Sequence, residues 1–172
     1  MKEDIVYILA LMGYNFVKQK DEDYKYFCPF NGSIEVTDDY FYVYSGLFDE
    51  ILFFNEMSVS EVIFEIENRL NLLKSSILVT LDYHSKRTLF KQLLNLMLTT
   101  ASVETMLNDK VIFKSNGYDI NLTFFDIDRM IGFYIIVEKD EEKIYRLNIY
   151  DGTLMDGEDI HKTIKKIVEK GK

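Results

Sequence analysis

The chain has 172 residues, 48% hydrophobic and 15% aromatic, with one proline, one cysteine and a net charge of −9. That composition excludes a disordered chain and an internal disulfide, and it argues against free binding to nucleic acid, which needs a basic surface. No uncharged apolar run reaches the roughly 18 residues of a membrane span, and Met1-Lys2-Glu3-Asp4 does not open a signal peptide, so a cytoplasmic protein is expected.

The charge is unevenly divided. Residues 1–83 hold 15 acidic and 6 basic side chains, whereas residues 84–172 hold 14 of each. All of the excess acid belongs to the first half. A basic protein partner would complement it; the plainer alternative is that the acid serves solubility.

In chain order, residues 4–19 predict a helix capped by Asp4, with Ile5, Ile8, Leu9, Met12 and Phe16 at helical spacing. Val6, Ala10, Leu11 and Val17 widen its apolar stripe, so it should be buried around much of its circumference. Gly13 weakens it or ends it early. A charged loop follows. Strands are then expected at 24–30, 33–37, 40–45 and 50–55. Asn31-Gly32 lies between the first two and marks a two-residue hairpin turn, because both residues tolerate positive φ. In 40–44 the period is two: Phe41 and Val43 face one side, Tyr40, Tyr42 and Tyr44 the other.

Ser58 or Ser60 caps a second helix, with Glu61 available as the reciprocal partner in a Ser58-x-x-Glu61 capping box. Val59, Val62, Ile63, Ile66, Leu70 and Leu73 form its apolar stripe. Glu61, Glu65, Asn68, Arg69 and Asn71 fill the opposite face, with Glu65 and Arg69 spaced to pair. Residues 76–82 are expected to be an extended connector. A third helix spans 85–99, with Leu89, Phe90, Leu93, Leu94, Met97 and Leu98 inward, and 102–107 either prolongs it or forms a turn. Further strands fall at 110–115, 118–126, 131–138 and 143–150. Asn116-Gly117 is a second hairpin signal and Asp140-Glu141-Glu142 a solvated turn. Asp156 caps a last helix at 157–170, with Ile160, Ile164, Ile167 and Val168 inward.

Each half therefore reads as helix, antiparallel meander, helix. The expected fold is α+β, in two units at 1–80 (acidic) and 81–172 (charge-neutral), with helices on one face of the sheets. The halves are an internal duplication or two units that converged on the same turn chemistry. They form one continuous sheet, or two sheets packed through their helices.

Chemistry is sparsely signalled. His84 and His161 have no partner at metal-ligand spacing, and Cys28 is better read as a buried thiol than as a nucleophile. Asp126-x-Asp128 and the Asp151-Gly152…Asp156-Gly157-Glu158 stretch do not fit a calcium loop. There is no phosphate-binding glycine loop, nucleophile elbow or zinc-protease helix. No catalytic residue, metal or cofactor is expected. The residues singled out are Tyr40, Tyr42 and Tyr44 with Asp38, Asp39, Asp49 and Glu50 beside them: an acidic, tyrosine-bearing surface for a basic, even nucleic-acid-binding, protein. That describes a non-catalytic inhibitor or immunity-type module. The alternatives are a chaperone-like or assembly module with an apolar groove, with homo-oligomers open to it, and an enzyme with dispersed carboxylates. The open question is whether the tyrosines face outward or lie under a helix.

Overall fold

The structure is a computed structural model and describes residues 1–28, 32–46, 48–74, 83–107, 109–127, 130–150 and 157–170. The fold is α+β. Helices α1 (Lys2–Leu11), α2 (Val59–Lys74), α3 (Tyr83–Leu98) and α4 (Gly157–Glu169) accompany ten strands. The first five are β1 (Val17–Lys18), β2 (Tyr24–Cys28), β3 (Gly32–Val36), β4 (Tyr40–Tyr44) and β5 (Phe48–Phe53). The second five are β6 (Ser102–Met106), β7 (Lys110–Ser115), β8 (Tyr118–Ile127), β9 (Met130–Lys139) and β10 (Glu142–Ile149).

All ten strands form one antiparallel sheet, ordered β1-β2-β3-β4-β5-β10-β9-β8-β7-β6. Each half is a five-strand meander, and the two meet last strand to last strand, with Leu52 opposite Tyr145 and Glu50 opposite Leu147. The continuous sheet, not two sheets, is the arrangement found. Alternation divides its side chains. Ile34, Val36, Phe41, Val43, Leu52, Tyr145, Leu147, Ile135, Val137, Ile120 and Leu122 are buried on one side. Arg69 of α2 lies over Phe41 there, and Phe90 of α3 packs against Phe124 and Phe133. Each such apolar side chain contributes about 1.5–3 kcal/mol when fully buried, so this face is the core.

Several expectations are corrected. The first helix ends at Leu11 instead of running to residue 19. Gly13, at φ +97°, takes the left-handed turn that stops it. The Gly13 N–H donates to the Ala10 carbonyl at 3.0 Å and the Tyr14 N–H to the Leu9 carbonyl at 2.9 Å, which is a Schellman closure. Met1, not Asp4, occupies the N-cap. The short helix also buries less than expected: Ile5, Val6 and Leu9 pack inward, while Tyr7, Ile8, Leu11 and Met12 are exposed. Residues 17–18 and 102–106 are edge strands, each too polar or too short to show alternation. Glu65 and Arg69 face the interior, not solvent. Leu98 is exposed.

The two Asn-Gly turns differ. Asn116 and Gly117 have φ of +52° and +83°, and Ser115 pairs with Tyr118, as a type I′ hairpin requires. The Asn116 side-chain amide also donates to the Val168 carbonyl at 2.9 Å, tying the hairpin to the end of α4. Asp140 and Glu141 form a comparable turn, with φ of +52° and +66°. Asn31 lies outside the described residues. Gly32 is within a strand opposite Cys28, so three residues separate the paired ends and the two-residue turn is not formed there. The connector 76–82, Asp128, Asp151, Gly152 and Asp156 likewise fall outside the described residues. Ser58 and Glu61 form the capping box: the Ser58 N–H donates to Glu61 Oε2 at 2.7 Å and the Glu61 N–H to Ser58 Oγ at 3.3 Å.

Gly32 has φ +115°, and a Cβ there would overlap the Tyr44 carbonyl oxygen. Gly32→Ala should therefore destabilise by about 3 kcal/mol. Gly117→Ala, with φ +83° but open space around it, should cost only about 1 kcal/mol. Urea denaturation of the two variants side by side checks the difference.

Candidate functional site

Two consecutive acids on β5 organise the region where the halves meet. Asp49 and Glu50 point to opposite faces of the sheet and both are buried, at 6% and 0% exposure. Burying a carboxylate is costly unless it is paired and hydrogen-bonded. Each therefore has a dedicated set of donors.

Glu50 faces the core. Arg69 of α2 holds it with both ends of its fork, Nε to Oε1 at 2.8 Å and Nη2 to Oε2 at 3.0 Å. The Tyr145 hydroxyl of β10 donates to the same Oε2. The remaining Arg69 nitrogen reaches Glu65 Oε2 at 2.5 Å. Burial works against the Arg69 charge, but the adjoining Glu50 carboxylate outweighs it and holds the guanidinium firmly protonated. Burial, reinforced by Glu50, pushes the Tyr145 hydroxyl far above the usual tyrosine range.

Asp49 faces the other side. It accepts from Asn148 Nδ2 at 3.0 Å, from the Tyr150 hydroxyl at 2.5 Å and from Arg146 Nη2 at 3.4 Å. Burial and the Asp49 hydrogen bond raise Tyr150 to about 12. Asp49 thus arrives at the surface already neutralised by the second half.

The tyrosine row lies on this same side. Tyr42 stands across from Glu35 on β3 and Ile51 on β5, and Tyr44 across from Ser33 and Asp49. Tyr40 and Tyr42 are half-buried among their neighbours, Tyr44 is 49% exposed, and the Tyr40 ring packs on Phe53 at 5.3 Å. The outward reading of the tyrosines is the one the strand adopts. Phe27, Ile51, Phe53, Phe125 and Tyr134 extend the aromatic and apolar surface across both halves. Burial raises the Tyr40 hydroxyl, with the negative charges of Glu35, Asp23, Asp21 and Asp39 adding to it. The acid therefore concentrates at the Tyr40 end. Asp38 and Asp39 are exposed in the β3–β4 turn, where Thr37 Oγ1 accepts from the Asp39 and Tyr40 N–H groups, both at 3.1 Å. Asp38 also pairs with Lys2 at 3.1 Å. The strand register puts Tyr40, Tyr42, Tyr44 and Asp49 on one side of the sheet, whereas Asp38 and Asp39 lie in the turn at its end, with Asp38 bonded to Lys2 of α1. Glu50 stands on the other side, with no access to solvent.

A second feature had no clear sequence signal. A cleft of about 910 Å³ opens between the start of α2, the end of α4 and the β9–β10 turn. Leu52, Met57, Ile144 and Ile167 form its apolar lining, and Phe64 stands 53% exposed at its wall. Two ion pairs cross it, Lys166 Nζ to Glu65 Oε1 at 3.3 Å and Lys170 Nζ to Glu61 Oε1 at 2.7 Å. A β-bulge between Lys143 and Tyr145 turns Ile144 and Tyr145 both inward, which supplies the Ile144 wall.

Elsewhere, Cys28 is buried and burial raises its thiol. His161 Nε2 lies 3.0 Å from Thr100 Oγ1, and burial followed by Lys165 lowers its pKa, favouring the neutral ring. The side chain of His84 lies outside the described residues. Among the described residues, no three His, Cys, Asp or Glu side chains converge on a metal position, and no helix is long and apolar enough to cross a membrane. No known protein family, curated protein or solved structure matches the chain.

Arg69→Met should destabilise the fold by about 3–5 kcal/mol, because it leaves Glu50 buried and unpaired by any cation. The triple change Glu50→Leu/Arg69→Met/Tyr145→Phe should recover most of that loss in urea melts. A second expectation concerns acid. Its hydrogen bond with Lys170, with those from Ser58, holds Glu61 down to about 2 from an ordinary 4.5. A depressed carboxylate stabilises the fold above its unfolded pKa, and that contribution fades as pH falls through the folded value. Glu61→Gln should flatten the decline in stability between about pH 4.5 and pH 2, as followed by thermal melts across that range.

Proposed function

We propose that the chain is a non-catalytic, cytoplasmic protein-interaction module of inhibitor or immunity type, which docks a basic protein on the tyrosine-bearing side of its sheet. One observation carries the reading. Tyr40, Tyr42 and Tyr44 stand in a row away from the core, with acid gathered around Tyr40 and apolar Ile51 and Phe53 beside them. Tyrosines of this kind offer large, stiff, amphipathic contact area, and an acidic margin steers a cationic partner toward it. A nucleic-acid-binding protein would present a suitable basic surface.

Two finer features of the architecture belong to this reading. All four helices cover the core face, which leaves the tyrosine side free for a partner. The halves are an internal duplication: each runs helix, five strands, helix, and the strand order reads the same outward in both directions from the β5–β10 seam. In the first unit the sheet surface is specialised for binding, and the second unit serves as its scaffold.

The test is co-purification with the tagged chain at low salt. A partner should be recovered and released as salt is raised. The Tyr42→Ala/Tyr44→Ala variant and the charge-reversed Asp39→Lys variant should each reduce recovery by about tenfold, while the exposed substitutions at Tyr44 and Asp39 shift stability by only about 0.5 kcal/mol. Recovery that is indifferent to both variants would remove the proposal.

A further inference from the structure

The cleft between α2 and α4 is lined by none of Tyr40, Tyr42 and Tyr44, shares only Phe53 with the tyrosine surface, and does not rest on the reading given for that surface. Its two helix walls run antiparallel, since Glu61 meets Lys170 and Glu65 meets Lys166. The Lys170–Glu61 and Lys166–Glu65 pairs and Lys166 over the Phe64 ring span the gap. The rim carries five exposed carboxylates, on Glu56, Glu61, Asp140, Glu142 and Glu169, and a sixth, Glu65, buried against Arg69, beside three ammonium groups, on Lys139, Lys166 and Lys170. Lys166 leans over the Phe64 ring at 5.0 Å and Lys139 over Tyr118 at 5.0 Å, so two of the three cations also shield aromatic surface. The interior is apolar. Phe64 stays half in water in the middle of a helix whose neighbouring positions are buried.

We propose that this cleft receives a basic amphipathic helix from a partner protein. Its apolar stripe would lie on Phe64, Met57, Ile144 and Ile167, and its lysines or arginines would take over Glu61 and Glu65 from Lys170 and Lys166. The acidic surplus of the rim selects a cationic segment. Two antiparallel walls whose groove-lining positions fall at helical spacing (Ser60, Phe64; Thr163, Ile167), each pairing a small hydroxyl residue with an apolar one, suit a helix lying in the groove. Lys166 and Lys170 act as an intramolecular stand-in for the partner's cations, closing the cleft when it is empty.

The probe is a labelled peptide of about 18 residues, with leucine at helical spacing and lysine elsewhere, measured by fluorescence anisotropy against the full chain. Controls are a scrambled peptide of the same composition and a version with glutamate for lysine. The leucine–lysine peptide should bind, and the two controls should bind at least about tenfold more weakly. Phe64→Ser, an exposed substitution, should weaken binding about tenfold. Lys166→Ala/Lys170→Ala should strengthen it severalfold by freeing the rim carboxylates, whereas Tyr42→Ala/Tyr44→Ala should leave it unchanged. Equal binding of the scrambled peptide, no binding at all, loss of binding only in the tyrosine variant, or no gain from removing the two lysines would overturn the proposal.

Discussion

The ion pair between Glu50 and Arg69 is the constraint on which the architecture depends. Glu50 sits in the middle of the seam joining the meanders, with Val43 on one side and Leu147 on the other. A carboxylate there is tolerable only because three donors converge on it, two from α2 and one from β10. The compensation therefore requires three elements to be in place together. Its net worth against an apolar replacement is small or even unfavourable, but removing one partner is expensive. That asymmetry makes the pair a device for selecting one arrangement more than for adding stability.

What it selects is register. Asp49 and Glu50 are adjacent on β5, and Tyr145 and Arg146 are adjacent on β10. The observed pairing sorts them so that Glu50 meets Tyr145 on the core face and Asp49 meets Arg146 on the other. A slip of one residue would reverse the faces of a whole strand. Asp49 would then enter the core without its Asn148 and Tyr150 donors, and Glu50 would leave Arg69 with Glu65 in place of its two-point partner. Few other features of the seam discriminate so sharply, because Leu52, Phe48, Leu147 and Ile149 are interchangeable apolar neighbours.

Local chemistry was legible in the sequence and long-range chemistry was not. The capping box at Ser58, the type I′ turn at Asn116, the alternation of 40–44 and the stripe of α2 are each written within a few neighbouring residues. Gly13 stopping its helix was a matter of closure bonds that the apolar spacing beyond it concealed. The edge strands 17–18 and 102–106 lack an inward row to show alternation, since both residues of the first and four of the five in the second are exposed. Arg69 and Glu65 looked like a solvent-facing pair because their spacing is that of a surface ion pair. Only the approach of β5, 19 residues from Arg69 in sequence, makes that face interior. The cleft depends on the meeting of α2 with α4, about a hundred residues apart, and leaves no trace in either stretch alone.

The charge asymmetry takes on a different meaning once the pairs are in place. Among the described residues, each ion pair between the halves has its acid on the first half and its base on the second: Asp49 with Arg146, Glu61 with Lys170, and Glu65 with Lys166. Part of the acid that distinguishes residues 1–83 therefore serves the second half of the same chain. The pairs of the buried Asp49 and Glu65 are screened less by salt than the exposed Glu61–Lys170 pair. The acid of the first half that is not used in these pairs includes Glu35, Asp23, Asp21 and Asp39 near Tyr40 and Glu56 at the cleft. These two places lie on different elements, so the negative charge of the first half is divided between them.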